Sequence, residues 1–316
     1  MEVPDRAVAD ALARGRMHHA WLLTGPEGVG KASFAYRIAR RLLGAMPDSS
    51  QGLLGSQADH PVCRQISARA HPDLIVLERF TEDGKARKSI PIDEARALPG
   101  FFSQSPAAAP YRVAIIDAAD DLNINAANAV LKTLEEPPER GVLLLISHAR
   151  GRLLPTLRSR CRTLCIPPLE EGALAAGLER ELGVGQDAAL RLAQMSRGAL
   201  GRAVSLAMAD GLAADDAAQS LLSGLPRLDE AGLLALAESF RGAEGAVRFA
   251  LVFERLADHI HAMALRDAEA GRGRGLDRWA EAWTRINQLV VDTEALNLDR
   301  SDALWTAVSH LRAAAA

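Results

Sequence analysis

Ala20-Trp21-Leu22-Leu23-Thr24 runs straight into Gly25-Pro26-Glu27-Gly28-Val29-Gly30-Lys31-Ala32, and a helical pattern continues from Lys31 to Leu43. A short, nearly continuous apolar run closed by glycine reads as a strand covered on both faces. A glycine loop between such a strand and a helix offers backbone N–H groups and the positive helix end to phosphate oxygens. Its lysine reaches the β and γ positions. Gly25, Gly28, Gly30 and Lys31 are therefore the candidate phosphate-binding residues. The last position of this motif is ordinarily Ser or Thr, whose hydroxyl ligates Mg2+. Ala32 has no oxygen to offer, and Ser33 points roughly 100° away around a helix. Two readings stay open: a compact turn in which Lys31 bonds backbone carbonyls, or residual binding of ATP or ADP without hydrolysis.

Outward from the loop, the same alternation continues. Leu74 to Leu77, Arg112 to Asp117, Val142 to Ser147 and Thr163 to Ile166 are apolar runs of strand length. Helical patterns over Asp93 to Phe102 and Asn123 to Glu135 lie between them. The second carries a stripe of Ile124, Ala127, Leu131 and Leu134 and stops at Pro137-Pro138. Strand and helix in turn imply an α/β domain on a parallel sheet. Past Pro167-Pro168 no strand pattern remains; the chain is rich in Ala and Leu at helical spacing, broken at Gly183, Gly185, Gly198, Gly201 and Gly224-Leu225-Pro226. The expected division is an α/β domain over 1–167, a small helical unit over 168–210 and a larger all-helical domain over 211–316. Within the last, Gly242 to Ala270 is an amphipathic helix with Val247, Leu251, Leu256 and Ile260 on one face, and Gly271 to Gly275 a loop. No internal repeat is present.

At 316 residues the chain suits two or three domains, and 48% apolar with 24% charged residues is a soluble globular balance. A net charge of −3 excludes a basic nucleic-acid coat, so any DNA contact must be local. Cys63, Cys161 and Cys165 are too few and scattered for a disulfide framework and fit a reducing compartment. No run reaches the roughly 18 apolar residues of a membrane span, and the first residues lack a signal-peptide core. The expectation is a cytoplasmic protein without membrane contact.

Two further stretches are more specific. Asn128-Ala129-Val130-Leu131-Lys132-Thr133-Leu134-Glu135-Glu136-Pro137-Pro138 is similar to the helix and turn of clamp-loader ATPase subunits, and Leu157-Arg158-Ser159-Arg160-Cys161 to their Ser-Arg-Cys motif. The spacing from acidic strand to helix, strand and Ser-Arg-Cys matches as well. His19 to Leu23, His71-Pro72-Asp73 and Asn297-Leu298-Asp299-Arg300 add weaker support. On these residues the chain resembles the AAA+ clamp-loader family of bacterial DNA polymerase III, in its delta-prime pattern of a degraded nucleotide site beside an intact Ser159-Arg160-Cys161. The resemblance covers the first domain well and the remainder by length and helical character only.

It implies an AAA+ P-loop domain, a small helical lid and a C-terminal helical collar. It implies a non-hydrolysing subunit of the polymerase holoenzyme, with gamma/tau and delta subunits as partners and the sliding clamp and primed DNA reached through the complex. Asp117 stands where the family's Mg2+-binding Asp stands, but Ala118 replaces the Glu that activates water, and Asp120 lies three residues on. Ser147 is either a γ-phosphate sensor or a strand cap. Gly201 occupies the lid position of a phosphate-sensing Arg, with Arg202 one step out of register.

Arg150, Arg152, Arg158, Arg160 and Arg162 form a run without an acid, which for any one of them reads as solvated surface or a structural pair. For Arg160 the resemblance implies an arginine finger supplied in trans, since a permanently charged planar fork suits a γ-phosphate. The family's four-cysteine zinc module is reduced here to His60 and Cys63, with Gln57 and Gly44 near the other positions. Two ligands cannot make a four-coordinate site, so no metal is expected. The rival functions are an active gamma/tau-like ATPase, which needs Mg2+-dependent turnover, and an unrelated nucleotide-binding regulator, which needs no loader partners.

Overall fold

The computed structural model describes residues 2–80, 85, 87–271 and 275–315. In chain order the elements are α1 (Glu2–Ala13), β1 (Ala20–Thr24), α2 (Lys31–Leu42), α3 (Pro61–Ser67), β2 (Leu74–Glu78), α4 (Ile92–Ser103), β3 (Arg112–Asp117), α5 (Ile124–Glu135), β4 (Gly141–Ser147), α6 (Pro155–Arg160) and β5 (Arg162–Cys165). Among the described residues only helices follow: α7 (Glu171–Leu182), α8 (Gln186–Met195), α9 (Leu200–Met208), α10 (Gly211–Ser223), α11 (Glu230–Ser239), α12 (Gly242–Glu269), α13 (Leu276–Leu296) and α14 (Arg300–Ala315).

The strands make one sheet in the order β2-β3-β4-β1-β5, with every pairing parallel. Alternate residues of β1 to β4 feed opposite cores, which is why those strands read as continuous apolar runs rather than as alternation. Trp21, Leu23, Val142, Leu144 and Ile146 pack with Phe34 and Ile38 of α2. Leu22, Leu143 and Leu145 pack on the other side with Leu98 of α4, Val130 of α5 and Leu157 of α6. The expected sheet is present with strand ends shifted by no more than a residue, as at β5, which starts at Arg162 and leaves Ile166 outside.

Two helical faces differ from expectation. On α5 the buried residues are Ala126, Ala127, Val130, Thr133 and Leu134, while Ile124 is 66% exposed and Leu131 only partly covered. The helix is turned by roughly a quarter revolution from the stripe read in the sequence. On α12 the face is Phe249, Val252, Phe253, Leu256, Ala257 and Ile260, and Val247 is exposed. In both helices a competing stripe of aromatic or small residues wins the core. The loop expected over Gly271 to Gly275 falls largely outside the described residues.

Chain proximity separates two compact units. The first is Met1–Leu174 with Arg197–Arg202, and holds the sheet; the second is Ala175–Ser196 with Ala203–Ala316. The second has a core of its own, built from α10, α11, α12, α13 and α14 around Phe240, Phe249, Phe253, Ile286 and Leu304. No helix among the described residues is long and apolar enough to cross a membrane.

Candidate functional site

The phosphate loop leaves the end of β1, in the middle of the sheet, and Gly30 caps α2 in a left-handed conformation. Two glycines are required sterically. A Cβ on Gly25 would stand 2.3 Å from the Ile166 carbonyl oxygen, and one on Gly28 2.9 Å from the Arg202 backbone nitrogen, both at positive φ. The second approach is reinforced by a hydrogen bond from the Gly201 N–H to the Gly28 carbonyl at 2.8 Å. The first turn of α9 therefore lies against the loop, at the position where a phosphate-sensing arginine was expected and where Gly201 has no side chain.

Lys31 is buried, and its Nζ donates to the carbonyls of Gly25 at 2.8 Å and Pro26 at 2.6 Å, both in its own loop. Burial lowers the ammonium pKa, against the opposing charges of Asp117, Glu27 and Asp120. Ala32 packs beside the first core, and Ser33 faces solvent, so neither supplies a metal-binding hydroxyl to the loop. Three carbonyls of the loop are thus engaged, those of Gly25 and Pro26 by Lys31 and that of Gly28 by Gly201, and no hydroxyl stands beside the lysine.

Asp117 ends β3, where burial raises its pKa despite His148 and Lys31 nearby. Ala118 is buried. Asp120 accepts the Ser147 hydroxyl at 2.9 Å and the His148 N–H at 2.5 Å. The partner of the Ser147 hydroxyl is thus a carboxylate on the adjoining turn.

Ser159, Arg160 and Cys161 close α6 and lead into β5. Leu157 is buried in the second core and anchors the helix, which leaves the following residues at the rim. The Ser159 hydroxyl donates back to the Thr156 carbonyl at 3.1 Å. Cys161 is covered, and burial pushes its thiol up to about 12, which makes it a packing residue rather than a nucleophile. Arg160 Nη1 donates to Thr156 O at 3.1 Å and Nη2 lies 2.9 Å from Glu135 Oε1, with side chains 36% and 52% exposed. Within the arginine run, Arg162 stacks on Trp21 at 4.8 Å, while Arg150 and Arg152 occupy an exposed 3-10 turn. Glu135 was part of the quoted motif without a role; its signal was an acid ahead of Pro137-Pro138 in a region whose later cations lack one.

His60 and Cys63 are occupied otherwise. His60 caps α3 by accepting the Val62 N–H, and Cys63 is buried in that helix. Among the described residues no group of three or more His, Cys, Asp or Glu is placed to hold a metal.

Residues 5–170 match the protein family described as DNA polymerase III, delta subunit. A delta' subunit of DNA polymerase III from Pseudomonas aeruginosa is 42% identical over 148 residues, covering 47% of this chain and 43% of that protein. The delta' subunit of Escherichia coli is 32% identical over 222 residues, 70% of this chain and 64% of that protein. The tau subunit of Escherichia coli is 31% identical over 272 residues, 82% of this chain and 40% of that protein. The aligned stretches thus span less than two thirds of each relative. On the family match and these relatives, the chain belongs to the DNA polymerase III delta-subunit family, in its delta-prime clamp-loader branch.

Proposed function

We propose that this chain is a non-hydrolysing member of a clamp-loader complex, supplying Arg160 to the ATP site of a neighbouring gamma/tau-type subunit. The observation that carries the reading is Lys31 tied to Gly25 and Pro26 in a loop without a Mg2+-binding hydroxyl, while Arg160 stays at the rim. Its partners would be gamma/tau and delta subunits, and through the complex the sliding clamp and primed DNA, in the cytoplasm. In this reading 1–167 is the AAA+ domain, 168–210 a lid and 211–316 a collar; neither zinc nor bound nucleotide is required.

The test has two arms. The isolated chain is expected to show no Mg2+-dependent ATP turnover, and Ala32→Thr with Ala118→Glu to add little, because the lysine, the lid position and a partner's finger are still out of place. Robust turnover by the unmodified chain would sink the pseudo-ATPase reading. In the reconstituted complex, Arg160→Ala should preserve assembly and abolish the share of clamp- and DNA-stimulated ATPase that belongs to one site, since a supplied finger contributes roughly 10³–10⁵ in rate. Arg160→Lys should rescue only partly, for want of the planar fork, and Arg152→Ala should be nearly silent. Unchanged ATPase and loading in the assembled Arg160→Ala complex would remove the finger role.

A further inference from the structure

The guanidinium of Arg160 is held from two sides by different helices. Nη2 meets the Glu135 carboxylate at the last residue of α5, and Nη1 meets the Thr156 carbonyl inside α6. Delocalisation keeps the guanidinium flat, and a hydrogen bond at one terminal nitrogen with a carboxylate's charge beside the other restricts the remaining turn about Cδ–Nε, which holds the orientation of the plane. One of its five donors is spent in a hydrogen bond within the described residues and a second nitrogen lies beside Glu135, which leaves donors for an acceptor outside the chain. Glu135 itself is poorly explained by its own helix. A carboxylate at a helix C-terminus faces the negative end of the dipole, and a cation is favoured there. A cation is what it receives.

We propose that Glu135 is a positioning residue for the arginine finger, presenting the free edge of the Arg160 fork to the neighbour's γ-phosphate. This inference rests on the trans-finger reading and adds to it the residue that orients the finger. The alternative use of the same ion pair is a latch that occupies the arginine until docking. The geometry favours positioning. A latch would take the fork edge in bidentate fashion, whereas Glu135 is paired with one nitrogen only and Thr156 holds the other. The two uses predict opposite signs, because removing an orienting group slows turnover and removing a competitor speeds it.

The experiment is a double-mutant cycle in the reconstituted complex, reading kcat and KM for ATP with clamp and primed DNA present. Of the turnover that Arg160→Ala abolishes, Glu135→Ala is expected to lose about twofold to fivefold in kcat with KM unchanged, the scale of a partly exposed ion pair. Adding Glu135→Ala to Arg160→Ala should cost nothing more. Glu135→Gln, which keeps the length and the oxygen but loses the charge, should fall between Glu135→Ala and the wild type. Both positions are partly exposed, so the variants are expected to fold and assemble, which size-exclusion chromatography checks.

Glu135→Ala at or above the wild-type rate, a loss confined to KM, or a further loss on the Arg160→Ala background would each overturn the positioning role while leaving the finger intact. A silent Arg160→Ala would overturn both.

Discussion

Asp73 lies fully buried ahead of β2, and its carboxylate accepts the N–H groups of Ala107 at 2.8 Å, Ala108 at 2.8 Å and Ala109 at 3.1 Å. Arg112 Nε stands 3.2 Å away and is nearly as buried. Burial alone would raise the Asp73 pKa; the three backbone donors and Arg112 outweigh it and hold it below the ordinary carboxylate value. The folded value being the lower one, the stabilisation is complete above the unfolded pKa of about 4 and is lost as pH falls through the folded value. Asp73→Asn leaves Arg112 buried without its counter-charge and is expected to cost about 3 kcal/mol at neutral pH. The gap between wild type and variant should narrow in denaturant melts taken progressively below about pH 4. A gap independent of pH would mean that the carboxylate is not ionised in the fold. The His71-Pro72-Asp73 marker in the sequence is thus a structural clasp: the ring nitrogen Nδ1 of His71 accepts the Asp73 N–H at 3.1 Å.

Helix α5 shows what element-scale reading can and cannot reach. Its ends were legible because they are chemical. Asn123 accepts the N–H groups of Asn125 and Ala126 and caps the first turn, and Pro137-Pro138 cannot continue a helix. Asn123→Ala is expected to cost about 1 kcal/mol, readable as a shift of the denaturation midpoint with unchanged slope. An unchanged midpoint would show that the helix start is fixed by packing alone. Its buried face was not legible, because Ala126, Val130 and Thr133 compete with Ile124 and Leu131, and only the neighbouring α4 and sheet decide between two stripes. Strands suffer less from this ambiguity, since residues inward on either face are apolar when both faces are covered. Of the site, the missing hydroxyl at Ala32 and the motif around Arg160 could be read from residue types. So could one of the two readings of Lys31, the one that ties it to carbonyls of its own loop. The partners of Asp120 and Arg160 could not, because Glu135 lies 25 positions before Arg160 and Ser147 lies 27 beyond Asp120. The Asn297 to Arg300 stretch belongs with them: Asn297 ends α13 at positive φ, and Arg300 reaches the carbonyls of Phe240 at 3.1 Å and Gly242 at 3.3 Å.

At the scale of the molecule, the two compact units have separate cores, and the second also contains a buried carboxylate. Asp215 of α10 accepts from Arg191 of α8 at 3.0 Å and from Arg255 of α12 at 3.0 Å, and lies 2.8 Å from His259 Nε2. Burial would raise its pKa, but the hydrogen bonds of Arg191 and Arg255, with the charge of His259, hold it lower. Three helices, α8, α10 and α12, therefore meet at a single carboxylate. Asp215→Ala would leave the Arg255 guanidinium buried with only Asp258 beside it at 2.7 Å, and would deprive Arg191 of one of its two carboxylates. The expected cost is about 2–4 kcal/mol at neutral pH, below the full penalty for an orphaned buried charge because Asp258 and Asp216 remain. By the same sign argument as for Asp73, the difference should shrink as pH falls below about 4. Because the core of the second unit is its own, amide exchange should accelerate most over α8, α10 and α12, and little over β3 and β4. Equal acceleration in the sheet strands would show that the two cores open as one cooperative unit, and the separation into two bodies of stability would then be wrong.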